Sequence, residues 1–358
     1  MRPPAPCNVL AWRGWPDRVL GIVEDLYQRQ FAEPLDLNWT RYTGGGEFLR
    51  LLEEFPTTDV IVADREITAV FALQGRLLPL WENSDLEVVR RELVYPEWLW
   101  PASVIRGPFV FGVPVRWGTT PLLVKKELLA ASPTAGSGFD VRQALRDAHS
   151  FLLWSPKGYY LPSMAVLAEV ICPSSPFVLT PSEFGCLSDL LHDISDCTPV
   201  VARGVGALVQ GIEDARPDVI TCVGEWVLEG IQEGDPSLFE AIKRRYSYVY
   251  AEAFRPVAFF EEVGVLSTTR DPQRARRIAR ILLSEEIRQR VRVLEAADGY
   301  ASNPTWGKSD VLGPDFGLIP ADRLLASCIP RQVPCGHTLQ PALDLWHNAW
   351  QDFLSACP

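Results

Sequence analysis

Short apolar runs rich in β-branched residues alternate along this chain with segments whose apolar residues return every three or four positions. That alternation confines it to a layered α/β fold. Asn8-Val9-Leu10-Ala11-Trp12 reads as a buried strand closed by the turn Arg13-Gly14-Trp15-Pro16. Pro16 suits a first helical turn, and Val19, Leu20, Val23, Leu26 and Tyr27 follow at helical spacing. Leu35, Leu37 and Trp39 then alternate with polar residues as a strand does. A glycine run, Gly44-Gly45-Gly46, precedes a helix carrying Phe48, Leu49, Leu51, Leu52 and Phe55. Asp59-Val60-Ile61-Val62-Ala63 reads as a strand buried on both faces, and a helix over Ile67 to Gln74 follows.

Strands and helices of these lengths imply a mostly parallel, doubly wound sheet, whose ligands bind beyond the carboxyl ends of the strands. The loops to search are therefore Trp12 to Trp15, Tyr42 to Glu47 and Asp64 to Glu66. Further on, Phe109 to Gly118 is extended and leads to a second apolar strand, Pro121 to Val124, a natural crossover into another lobe. Ala131 to Gly138 reads as a surface loop, and a helix is predicted from Asp140 with Val141, Leu145 and Ala148 on one face. Phe151 to Trp154, Asp218 to Gly224 and Val257 to Leu266 read as strands, and Asp271 to Glu295 as one helix with arginines outside.

A length of 358 residues exceeds one ordinary core and suits two lobes. The net charge of −11 disfavours nucleic acid, which needs a basic stripe, and tolerates a cationic ligand. No run approaches a membrane span, and Met1 to Cys7 lacks the apolar core of an export signal. The eight cysteines contain no C-x-x-C pair, so buried thiols and isolated disulfides both stay open, with Cys328 and Cys335 a pair only in an oxidising compartment. Cys7 reads as a mobile terminal thiol or the remnant of a lipid attachment site. His149, His192, His337 and His347 share no metal-ligand spacing, so neither metal nor cofactor is expected. The glycine run lacks the lysine and spacing of a phosphate loop and reads as a flexible start to a helix.

Leu10 to Trp15, Asp59 to Val62, Val113 to Thr120 and the helix containing Leu282-Leu283-Ser284-Glu285-Glu286 together resemble the spermidine/putrescine-binding proteins, type II periplasmic solute-binding proteins of ABC transporters. The resemblance runs from about Asn8 to Asn303 as an order of landmarks. It implies two doubly wound α/β lobes joined by hinge strands: residues 1–112 and 262–325 in the first lobe, 113–261 and 326–358 in the second. It also implies a ligand whose methylene chain lies between aromatic faces and whose ammonium groups meet carboxylates. Trp12, Trp15, Trp117 and Tyr300 match its aromatic positions, Phe260 stands where a tryptophan is usual, and Glu262 matches an acidic contact. Glu225 and Trp226 fall at or beside a further aromatic position, and Tyr42, Asp64, Glu66, Thr119 and Ser155 complete the expected ligand-contacting set.

Two departures bear on the ligand. Ser155-Pro156-Lys157-Gly158 replaces an expected acidic pair, and three candidate loops carry Arg13, Arg65 and Arg116. Either these arginines pair with Asp64, Glu66 and Glu47, which is the favoured reading, or the ligand has an anionic group. The expected function is capture of a polyamine or other amine-bearing solute by a monomer, hinging near Val113 and Phe260, for an ABC permease. That resemblance implies a periplasmic or externally membrane-anchored protein, while the missing export signal leaves a cytoplasmic one open. The alternative is an enzyme on the same fold, as in thiaminase I, with Cys222 and Glu225 as nucleophile and base. Near Trp117, where thiaminase I places its cysteine, this chain has none.

Overall fold

The structure is a computed structural model. It describes residues 6–12, 15, 18–42, 45–82, 91, 103–119, 121–131, 145, 147–154, 181–197, 199–202, 205–221, 224–249, 257–297, 310–313, 316–327 and 329–330. The chain begins with β1 (Cys7–Trp12), α1 (Val19–Phe31), β2 (Leu37–Tyr42), α2 (Gly45–Glu54), β3 (Val60–Asp64) and α3 (Arg65–Leu73). It continues through β4 (Leu77–Leu78), β5 (Trp81–Glu82), β6 (Val104–Arg106), β7 (Phe109–Thr119), β8 (Leu122–Lys125), α4 (Lys126–Ala131) and β9 (Phe151–Trp154). Next come α5 (Pro181–Asp196), β10 (Val200–Ala202), α6 (Val205–Ala215), β11 (Val219–Thr221), α7 (Glu225–Gly234), α8 (Pro236–Arg245) and β12 (Tyr246–Val249). Last are β13 (Val257–Leu266), α9 (Pro272–Leu282), α10 (Glu285–Ala297), β14 (Asp310–Leu312), β15 (Leu318–Pro320), α11 (Ala321–Ser327) and β16 (Ile329–Pro330).

Among the described residues the strands form two large sheets and one small hairpin. The first sheet has the order β2-β1-β3-β13-β7-β5, and the second the order β10-β9-β11-β8-β12. In the first, β1 lies parallel to β2 and β3, while β13 runs antiparallel between β3 and β7. β3 shows why an unbroken apolar run belongs at the centre. Val60 and Val62 point into the layer beneath α1 and α9, Ile61 and Ala63 into the layer beneath α2 and α3, and all four are fully buried. A strand covered on both faces has no side free for polar residues.

The two-lobed expectation corresponds to these two sheets, but the core is not cleanly halved. One apolar cluster fills the α1/α9 face of the first sheet. The other runs without a break from the α2/α3 face of the first sheet into the whole core of the second. β14 and β15 bridge them as well: Val311 sits in the first cluster, while Leu312 and Phe316 sit in the second, where Phe316 packs 5.1 Å from Tyr248. β7 and β13 stay paired from Val113↔Val263 to Thr119↔Ala258, past the expected change of lobe near Val113 and Phe260. β16 also pairs with β13 in the first sheet.

Several local expectations shift. The helix predicted from Asp271 to Glu295 is two helices. The first ends at Leu282, and Ser284, with its Oγ accepting from the Ile287 N–H at 3.4 Å, starts the second, as a hydroxyl that competes for backbone donors does. Asp271 caps α9 by accepting from the Arg274 N–H at 3.0 Å. Helix α1 begins at Val19; Pro16 lies outside the described residues, as do most of the loop at 131–138 and of the helix predicted from Asp140. Cys7 is no mobile terminus. It opens β1 at 3% exposure, and burial beside Asp59 pushes its thiol up.

Candidate functional site at the junction of the sheets

Both sheets present the same kind of edge to each other. In the first, β1, β2 and β3 end at Trp12, Tyr42 and Asp64, and β7 ends beside them at Thr119. In the second, β9, β10 and β11 are parallel and end at Trp154, Ala202 and Thr221. β8 takes the chain across, its first residue, Leu122, lying opposite Thr221. The carboxyl ends of both sets of parallel strands therefore converge where the chain passes from one sheet to the other, the position the fold rule assigns to ligands.

At that crossing Glu225, the first residue of α7, reaches the end of β7. Its Oε2 accepts from the Thr119 hydroxyl at 2.6 Å and the Thr119 N–H at 3.3 Å. Glu225 is 3% exposed, and no cation pairs with it among the described residues. Burial accordingly pushes its carboxyl up to about 8, the Thr119 hydrogen bonds oppose the shift and Glu229 adds to it. Trp226 packs its six-membered ring against Gly118 and Gly224. A Cβ at Gly118 would lie 2.4 Å from the ring and one at Gly224 1.9 Å, so both positions need glycine for the indole to sit there. Phe259 meets the same indole edge-on at 5.3 Å. The Trp226 indole N–H is buried without an acceptor among the described residues, a desolvated donor of the kind folded proteins seldom leave unmatched.

Two other buried carboxylates occupy neighbouring places on β13 but have cations. Glu261 accepts from the Trp15 indole N–H at 3.2 Å and lies 3.9 Å from Arg116, whose guanidinium stacks 4.4 Å from the Trp15 ring. Glu262 accepts from the Thr68 hydroxyl, lies 3.8 Å from Arg65 Nε and fills the space over Gly112. The ladder shifts register between these two residues, and the strand's period of two turns their side chains to opposite faces. The arginines were expected to pair with Asp64, Glu66 and Glu47. Arg65 meets Glu262 and Arg116 meets Glu261, Glu47 lies 3.6 Å from Arg50, and Asp64, Glu47 and Arg116 each make further interactions. Arg13 lies outside the described residues.

The remaining sequence candidates divide as follows. Trp12 is half-buried at the end of β1 and packs against both apolar clusters. Trp15, Trp117 and Phe260 lie in the first-sheet core at 3%, 2% and 3% exposure, Trp117 and Phe260 directly opposite one another on β7 and β13. Tyr42 is buried, its hydroxyl donating to the Val62 carbonyl at 3.1 Å. Asp64 occupies the position preceding α3 and is 8% exposed. Glu66 lies in the first turn of α3 with its side chain outside the described part, and Ser155, Tyr300 and Cys222 lie outside it altogether. The structure thus gathers Thr119, Glu225 and Trp226 into one cluster and puts Glu262 in another. Sequence reading missed Glu261, Thr68, Gly118 and Phe259. An adjacent acidic pair in an otherwise apolar strand was the available signal for Glu261.

No family model matches the chain, and no curated protein matches it by sequence. Comparison of the fold does find similar solved structures. A putative spermidine/putrescine ABC transporter protein from Listeria monocytogenes superposes with a TM-score of 0.61 at 14% identity, over 97% of this chain and 98% of that one. The fold is that of the type II periplasmic binding proteins. The same architecture brings in maltose-bound MalE3 of T. maritima, with a TM-score of 0.60 at 13% identity over 98% and 95% of the two chains. Apo ferric ion-binding protein A of Pasteurella haemolytica follows, with a TM-score of 0.54 at 12% identity over 98% of each. No described helix of this binding-protein fold is long and apolar enough to cross a membrane.

Proposed function

We propose that this protein captures a small amine-bearing solute at the junction of its two sheets and presents it to an ABC-type importer, acting by binding and not by catalysis. Glu225 carries the reading. A carboxylate at 3% exposure with no described cation, beside the aromatic pair Trp226 and Phe259, is the receptor an ammonium group requires: an acceptor for its charge and aromatic faces for its apolar stem. The fold neighbours are named for polyamine, maltose and ferric ion, so the fold alone leaves the ligand open and the charge at the site argues for the amine. Polyamines belong among the amines tested, because the Listeria protein is named for them. In this reading the protein works on the outer side of a membrane. The lobes are the two sheets, with closure about the links after Thr119 and before Val257 in place of Val113 and Phe260.

The test is a thermal-shift screen of polyamines, monoamines, amino acids and small anions against the whole chain. A ligand at a hundred times its Kd stabilises by about 2.7 kcal/mol, a clear rise in melting temperature. Shifts confined to amines are the expected result, and a screen in which only anions or no compounds respond sinks the proposal.

A further inference from the structure

Resting on that reading, the pairing of charges around the junction narrows the ligand. Among the described residues, four carboxylates are buried at these strand ends, and the three besides Glu225 are engaged: Glu261 has Arg116, Glu262 has Arg65, and Asp64 makes an interaction of its own. Glu225 has the hydroxyl and N–H of Thr119, and its charged neighbour one turn along α7 is Glu229, of the same sign. On β7 the charged group nearest in sequence to Thr119 is Arg116, held against Trp15 and Glu261. Arg65, at the carboxyl end of β3, keeps a quarter of its side chain exposed, so the first sheet's edge shows solvent a cation. The buried Trp226 indole N–H supplies one further polar group, a donor without an acceptor among the described residues.

We infer that the site takes an amine bearing a single positive charge and discriminates against diamines and polyamines. One uncompensated carboxylate neutralises one ammonium group. A second ammonium on the same ligand meets carboxylates already paired with arginine, so its charge stays uncompensated, which is costly once it leaves water. A ligand that also carries an acceptor has an advantage, because it satisfies the stranded indole donor.

Isothermal titration calorimetry on the whole chain at a pH above 8.5 tests this with four probes: butylamine, 4-aminobutanoate, putrescine and spermidine. The two probes with one ammonium are expected to bind on the order of tenfold tighter than putrescine, about 1.4 kcal/mol. Glu225→Gln is expected to lose all amine binding, and Arg65→Ala to narrow the gap between monoamine and diamine. Putrescine or spermidine binding as tightly as butylamine overturns the single-charge inference and leaves the amine reading standing. Absence of binding by all four overturns both. The wild-type comparison decides the matter even where a variant fails to fold.

Discussion

The first sheet and the second treat a buried carboxylate in opposite ways. On β13, Glu261 and Glu262 are wrapped by Arg116, Trp15, Arg65 and Thr68, groups that belong to the same sheet and its helices. At the start of α7, Glu225 is as deeply buried but, among the described residues, is met by Thr119 alone, which reaches it from the other sheet. A carboxylate compensated within its own lobe is part of the scaffold. In the proposed reading, one compensated among the described residues by a hydroxyl and an amide across the junction is the acid that receives the ligand. Pairing therefore distinguishes these acids where burial does not, because all three are nearly inaccessible.

The largest expected effect tests the scaffold side. Arg116→Ala removes a guanidinium at 2% exposure, leaves Glu261 without its cation and strips the stack from Trp15, and should cost about 3–5 kcal/mol in urea unfolding. A loss below about 1 kcal/mol would show that Glu261 is not held by this pair. Next, Gly118→Ala puts a Cβ 2.4 Å from the Trp226 ring and should destabilise by about 1–3 kcal/mol, with much of the loss recovered in the double variant carrying Trp226→Leu. Additive losses in that double-mutant cycle would break the proposed contact across the junction.

The receptive side has a pH signature. The folded Glu225 carboxyl titrates at about 8 against an ordinary value of 4.5, so between those values the folded state holds a proton the unfolded state has released. Its contribution is complete below pH 4.5 and fades as pH rises through 8. Glu225→Gln should flatten that fall, which is at most about 1.4 kcal/mol per pH unit, and an unchanged stability profile would place the carboxyl in water. An ammonium ligand ionises Glu225, so binding near pH 7 should release a proton, read as a binding enthalpy that varies with the buffer's ionisation heat. The smallest effect is a control. Arg29, half-exposed between Asp25 and Glu286, should leave the urea midpoint essentially unchanged as alanine, because solvent screens such pairs.

Much of the first sheet was legible because each strand there announces itself. Val60 to Ala63 is a continuous apolar run, and Val257 to Leu266 matched its strand to the residue. The second lobe was harder to read. β10 and β12 are three and four residues long, too short to carry a period, and they are strands only because β9 and β8 lie beside them. At the site, Glu225, Trp226 and Thr119 were named in advance from a resemblance, while Gly118 and Phe259 were not. Nothing in the sequence around Gly118 says that an indole from more than a hundred residues away will lie on it.

Local pattern alone determined that this chain would be an α/β protein with strand-end loops worth searching, because the periods of helices and strands are written into neighbouring residues. Which acid is neutralised and which is left waiting was decided only in three dimensions. Glu261 and Glu262 are adjacent in sequence and look alike, yet a shift in register and the period of a strand send them to different cations. Glu225 resembles any acid in the first turn of a helix until the end of β7 arrives with a hydroxyl in place of an arginine. Charge compensation is a property of distance, and distance between remote residues belongs to the fold.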